Sequence, residues 1–241
     1  MGENTRIWII RHGEPSQETR GRCYGHLDVE LSGEGRKQMQ SVADRLSNEP
    51  ISAIYSSPRR RALESAAMLA ESLHAAIALE ERLREIDFGV FEGRLYEEIA
   101  QEYPETYSQW MEHPAETQFP NGESFVQMQA RVTEAAREIY AGHRGETIAI
   151  LSHGGVNRIL LAAALGVANE NIFHIAQRFA AMNLVVLIGD YPSVELMNAW
   201  ALPDWLEQPR SMHCGPIESR IGSVTVNGAG PARVFRRTSE H

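Results

Sequence analysis

Ile7-Trp8-Ile9-Ile10-Arg11-His12-Gly13-Glu14 is the stretch from which the fold is read. Four consecutive apolar residues, closed by a charged residue and a glycine, have strand character. A continuous apolar run implies burial on both faces, as in a parallel sheet. Working outward, Ile51-Ser52-Ala53-Ile54-Tyr55 and Thr147-Ile148-Ala149-Ile150-Leu151 repeat the pattern, with a short strand at Ile77 to Leu79. Leu184 to Ile188 and Ser193 to Met197 read as the last two core strands, joined through Gly189-Asp190-Tyr191-Pro192. Helical spacing falls between them. Ser32 caps a helix from Gly33 to Leu46, whose apolar positions are Met39, Val42, Ala43 and Leu46. Pro58 opens a helix to about Leu73. Phe125 to Tyr140 carries Val126, Val132, Ala136 and Ile139 on one side, and Val156 to Leu165 forms another helix.

Strands alternating with helices predict an α/β fold. It is a three-layer α/β/α arrangement with a mostly parallel, doubly wound sheet. Ligands bind such sheets at the carboxyl ends of the strands. From about residue 92 to 122 the periodicity breaks: Tyr103, Tyr107, Trp110 and Met111 lie among Pro104, Pro114 and Pro120. We read that segment as a small helical and loop insertion capping the site, inside one domain covering residues 1–203. Residues 204–241 form a C-terminal tail with one stretch of strand character, Ser223-Val224-Thr225-Val226. A lid, an oligomer contact and a disordered end all fit it.

The chain has 241 residues, 43% hydrophobic and 23% charged, which suits a globular protein with a sizeable core. With 23 Lys and Arg against 32 Asp and Glu the formal charge is −9. That sign argues against nucleic acid or an anionic membrane as partner, yet leaves room for an anionic small molecule in a locally cationic cleft. Cys23 and Cys214 are too few for a disulfide framework or a zinc site. No apolar run nears the roughly 20 residues of a membrane span, and no signal peptide precedes the first strand. The expected setting is the cytoplasm, with a homodimer possible.

Chemistry-bearing residues recur where strands end. His12 follows the first strand, with Arg11 before it and Gly13 after it to let a ligand approach. Arg11 could instead pair with Glu14. His153 follows the strand Thr147–Leu151, and Gly154-Gly155 open a helix whose N–H groups favour anions. In Ser57-Pro58-Arg59-Arg60-Arg61, Arg59 and Arg60 read as a solvated face, whereas Arg61 sits on the first turn and can point toward the strand edge. Glu85, in Leu83-Arg84-Glu85-Ile86-Asp87, has an apolar setting suited to proton transfer, or else bridges to Arg84 or Arg82. Arginine forks, imidazoles and one carboxylate make a kit for phosphoryl transfer.

These blocks, in order, resemble the histidine phosphatase superfamily, the phosphoglycerate mutase-like proteins. Its signature is matched by Arg11-His12-Gly13-Glu14 with Gly25-His26-Leu27-Asp28-Val29-Glu30-Leu31-Ser32. Later blocks match at Ser57-Pro58 with Arg61-Ala62, Leu83-Arg84-Glu85 with Phe88 to Gly93, Asn121-Gly122-Glu123-Ser124 and Ser152-His153-Gly154. The wording around the insertion is similar to alpha-ribazole phosphatase-like and broad small-substrate members. The resemblance implies a phosphatase acting on a small phosphorylated metabolite. His12 would become a phosphohistidine, and Arg11, Arg61, His153 and Gly154 would hold the phosphate. Glu85 would act as acid and then base. No metal or other cofactor is implied. Arg22, Tyr24 and Gly25, in the following loop, are candidate substrate contacts. Where many relatives carry Thr and Asn, this chain has Pro15 and Glu18; an inward glutamate would repel phosphate, so Glu18 is expected to point outward. A phosphomutase of the same superfamily is the alternative, disfavoured because Tyr96 to Phe119 holds no Lys or Arg. A non-catalytic phospho-ligand binder would lack His12, Glu85 or His153.

Overall fold

The computed structural model describes residues 4–200. In chain order its main elements are β1 (Thr5–Arg11), α1 (Gly33–Leu46), β2 (Ile51–Ser56), α2 (Arg60–Leu73), β3 (Ile77–Leu79), α3 (Tyr96–Glu102) and α4 (Pro104–Glu112). They are followed by α5 (Phe125–Gly142), β4 (Thr147–Ser152), α6 (Gly154–Leu165), β5 (Met182–Ile188) and β6 (Tyr191–Ala199). The strands form one six-stranded sheet in the order β3-β2-β4-β1-β5-β6. β1, β2, β3 and β4 run parallel, while β5 runs against both β1 and β6. The sheet is thus mixed and mostly parallel. The reversal is local: β5 and β6 meet at Gly189-Asp190, with Gly189 at φ +65°, and a hairpin that tight joins only antiparallel strands.

Every residue of β4 is buried, and Ile7 to Ile10 have no exposed surface, as the continuous apolar runs require. Successive side chains face opposite layers. Ile7, Ile9, Ile148 and Ile150 enter the core with α5 and α6, and α1 and α2 pack together over the other face. Ser32 caps α1 by accepting from Gly35 N–H at 2.9 Å.

Two local readings are corrected. α2 opens at Arg60, not Pro58, because Ser57 Oγ accepts the Arg59 N–H and Asp28 Oδ1 the Arg60 N–H, which extends the junction by two residues. Val126 is 60% exposed; the buried face of α5 is built from Phe125, Met128, Val132, Ala135, Ala136 and Ile139. The tail and its Ser223–Val226 stretch lie outside the described residues, among which no helix is long and apolar enough to cross a membrane.

Candidate active site

Pairing of the parallel strands brings three distant segments to one edge. Arg11 lies opposite Ser152 and Ser56 opposite Leu151, so His12, Ser57 and His153 leave their strands at the same level. The ladder continues one residue beyond: His12 N–H donates to Ser152 O and Ser57 N–H to Leu151 O, both at 3.0 Å. The His12 and His153 rings stand 5.2 Å apart, edge to face.

The bonds of His12 fix its tautomer. Nδ1 lies 2.7 Å from Gly13 O, an acceptor, and Arg61 Nε, a donor, lies 3.3 Å from Nε2. The proton therefore sits on Nδ1, and Nε2 carries a lone pair. Burial pushes the imidazole pKa well below its ordinary value, and the charges of Arg61 and Arg11 push the same way. His153 is likewise held neutral, by burial and then by Arg61. Its Nε2 meets Ser57 Oγ at 2.8 Å; with the hydroxyl donating, the ring proton falls on Nδ1, which is buried without a protein partner.

Arg61 is fully buried and donates to the carbonyls of Leu27 at 2.9 Å and Gly25 at 2.8 Å. Arg11 does not pair with Glu14. It donates to Gln177 O at 2.6 Å and lies 4.3 Å from the Phe179 ring centroid, with Nε buried and unpartnered. Tyr24 packs its ring 5.2 Å from the Arg61 guanidinium, and its hydroxyl reaches Arg11. Each guanidinium thus lies against an aromatic face, which limits the planes it can adopt. Arg60 is exposed and pairs with Glu30 and Glu64, as a solvated residue does, whereas the solvated reading of Arg59 is corrected: it is half-buried, with its Nε buried and without a hydrogen-bond partner among the described residues.

Glu85 joins the site through α6. Its Oε2 accepts from Gly155 N–H at 3.0 Å and its Oε1 from Ile86 N–H at 3.0 Å, while Arg82 and Arg84 turn to Glu80, Glu138 and Glu81. The expected apolar setting is therefore corrected to a polar one, with two backbone donors and the field of Arg11 and Arg61. Gly155 is required here: a Cβ would come within 2.3 Å of Glu85 Oε1. Gly13 serves the fold and not a ligand, since its Cβ would meet Gly35 O at 2.4 Å.

The loop contacts separate. Arg22 donates to Gly93 O at 2.7 Å, at the base of the insertion, and Gly25 is a scaffold residue whose Cβ would strike Ile86 O at 1.8 Å. Glu18 is exposed, as expected. Glu92 was not singled out from the sequence, yet it accepts from the N–H groups of Gly25, His26, Leu27 and Phe88. It ties the loop that holds Arg61 to the segment that carries Glu85. In the insertion, Trp110 packs among Phe88, Phe91, Tyr96, Tyr107 and Phe119, with centroids 5.2 to 6.4 Å away, which makes it a packing residue.

The family model described as histidine phosphatase superfamily, branch 1, matches residues 7–199. This chain belongs to that superfamily. Phosphoserine phosphatase 1 of Hydrogenobacter thermophilus is 31% identical over 77% of this chain and 95% of its own length. A metal-independent phosphoserine phosphatase of Arabidopsis thaliana is 35% identical over 66% of this chain and 68% of its own. The alpha-ribazole phosphatase structure from Shigella flexneri superposes with a TM-score of 0.76 at 27% identity, covering 82% of this chain and 98% of that one.

For this histidine phosphatase the two buried rings have a consequence for stability. Unfolded, each takes up a proton near pH 6.5. Folded, each does so only well below that. Between those limits the unfolded chain binds more protons, so the contribution is complete above about pH 6.5 and is lost as pH falls. The slope approaches about 1.4 kcal/mol per pH unit per histidine. Urea unfolding from about pH 7.5 to 5 should show it, with a shallower slope for His153→Gln. Equal slopes in the two proteins would contradict the neutral assignment.

Proposed function

We propose that this small-metabolite phosphatase works through a phosphohistidine on His12. The observation that carries the reading is the neutral ring with its lone pair on Nε2, beside the buried guanidinium of Arg61 and the half-buried one of Arg11. Nε2 attacks phosphorus; a P–N bond forms, the P–O ester bond breaks, and the leaving oxygen takes its proton from Glu85 in its acid form. The resulting Glu85 carboxylate then takes a proton from water as the water oxygen attacks phosphorus. The P–N bond breaks, and neutral His12 and inorganic phosphate are restored. Arg11, Arg61, His153 Nδ1 and the first-turn N–H of Gly154 surround the charge that spreads over the phosphoryl oxygens.

Hydrolysis is favoured over mutase chemistry because Tyr96 to Phe119 contains no Lys or Arg with which to grip a sugar acid for phosphate return. The chemistry needs no metal ion, the fixed cations supplying the positive field.

Glu85→Gln tests the sequence of steps. With p-nitrophenyl phosphate, whose leaving oxygen needs little protonation, the variant should form the covalent intermediate and hydrolyse it slowly. Acid-labile phosphate on His12 should accumulate, by mass spectrometry of the base-quenched enzyme, while kcat for alkyl phosphates falls about 10²-fold or more. Turnover without any trapped phosphoenzyme would contradict the covalent path.

A further inference from the structure

The side chain of Gln177 has no part in the steps above, yet it is 5% exposed and lies beside Asn183, which has no exposed surface. The two carboxamides face each other as a closed pair. Asn183 Nδ2 donates to Gln177 Oε1 at 3.0 Å, and Gln177 Nε2 donates to Asn183 Oδ1 and to Ala176 O, both at 2.9 Å. Asn183 is held on either side by main chain. Its Nδ2 donates to Ile9 O of β1 at 2.8 Å, and its Oδ1 accepts from Asn198 N–H of β6 at 2.7 Å. The second bond falls where the pairing of β5 with β6 shifts register, between Met182 and Leu184, so the side chain fills a gap in the ladder. A carbonyl at one atom and an N–H at the other settle which end of Asn183 donates, and hence which end of Gln177 does.

The far end of this chain of bonds is Arg11. Ala176 to Ala181 is neither helix nor strand, and Ala180 holds φ +54°. That segment meets the Arg11 guanidinium with the carbonyl of Gln177, which accepts from Nη1 at 2.6 Å, and with the Phe179 ring, 4.3 Å away. Arg11 Nε has no partner to fix the plane from its other edge. The guanidinium therefore leaves the end of β1 and is oriented by a segment tied back, through Gln177 and Asn183, to Ile9 of the same strand. Two amides that satisfy one another contribute little net stability over apolar side chains of the same shape. What they add is direction.

We propose that Gln177 is a positioning residue: paired with Asn183, it holds its own carbonyl and Phe179 where they aim the Arg11 guanidinium at the phosphoryl oxygens. The proposal rests on the phosphatase reading. A guanidinium free to turn keeps its charge and loses its aim, so the deficit falls on kcat more than on KM.

The test is a double-mutant cycle on the full chain, with phosphate release from p-nitrophenyl phosphate giving kcat and KM. Gln177→Met keeps the volume and removes the amide; it should lower kcat/KM by about 10- to 100-fold, chiefly through kcat. In the Arg11→Ala background, where His12 still supports slow turnover, the same substitution should change kcat/KM by no more than about twofold. A purely structural defect would instead lower activity by the same factor in both backgrounds. That equality, or the absence of any loss in the first background, overturns the proposal. Should Gln177→Met fail to fold, Gln177→Asn takes its place, since its amide is one methylene too short to reach Asn183, and the same two results decide. Failure of the wild type to release phosphate from p-nitrophenyl phosphate would overturn the phosphatase reading itself.

Discussion

His12→Ala is expected to lower kcat for p-nitrophenyl phosphate by about 10⁵-fold or more, to the edge of detection, because it removes the proposed nucleophile. The surrounding cations remain, so phosphate analogues should still bind. That separation matters, since the variant should bind inorganic phosphate in a calorimeter while turning over nothing. Among the described residues, the only side-chain hydrogen bonds lost are that from Nδ1 to Gly13 O and that accepted from Arg61 Nε. Melting should therefore move by a few degrees and not abolish folding. Residual activity within about 10²-fold of the wild type would mean that water attacks phosphorus directly and that His12 is not the nucleophile.

Arg61→Ala should be nearly as severe and for two reasons at once. It removes one of the two guanidiniums proposed to face the phosphoryl group, an interaction worth about 10³-fold or more in rate. It also leaves the carbonyls of Gly25 and Leu27 without their donor, which costs about 1–3 kcal/mol each if they stay buried. The loop from Tyr24 to Asp28 is then tied to α2 through Asp28 Oδ1, which accepts from Arg60 N–H, while Glu92 holds it from the other side. We expect kcat/KM to fall about 10³- to 10⁴-fold, with a clear drop in the urea midpoint. Arg61→Lys separates the two effects. It keeps the charge and loses the fork that reaches two carbonyls and His12 together, so most of the deficit should remain. Recovery to within tenfold would show that charge alone suffices at this position.

Much of this was legible in the sequence, because buried parallel strands write themselves as apolar runs and the residues after them are the ones a site can use. His12, Ser57 and His153 follow three such runs and converge as strand pairing demands. Arg61 was legible from its place on the first turn of α2. Glu85 was legible as a residue but not in its surroundings. Its partner is a backbone N–H of α6, seventy positions later in the chain, and nothing local signals that approach except the second glycine of Gly154-Gly155. Glu92 was hidden for a similar reason: all four of its partners are backbone groups, which no side-chain pattern encodes. Gln177 and Phe179 escaped because the loop carrying them reaches the catalytic edge only through the reversed direction of β5. A strand run gives burial and length, not direction.

The position of β4 sets when this enzyme can exist as an enzyme. β4 lies between β1 and β2, so the chain through Glu146 has no continuous sheet at that edge. His12 and Arg61 are not joined through one continuous sheet until residues some 140 positions downstream of β1 are in place. A nascent or truncated chain ending before Thr147 can carry the signature motif and be inert. Long-range closure of this kind is slow relative to local helix formation. The appearance of activity therefore reports the insertion of one central strand, and catalysis is a late readout of folding.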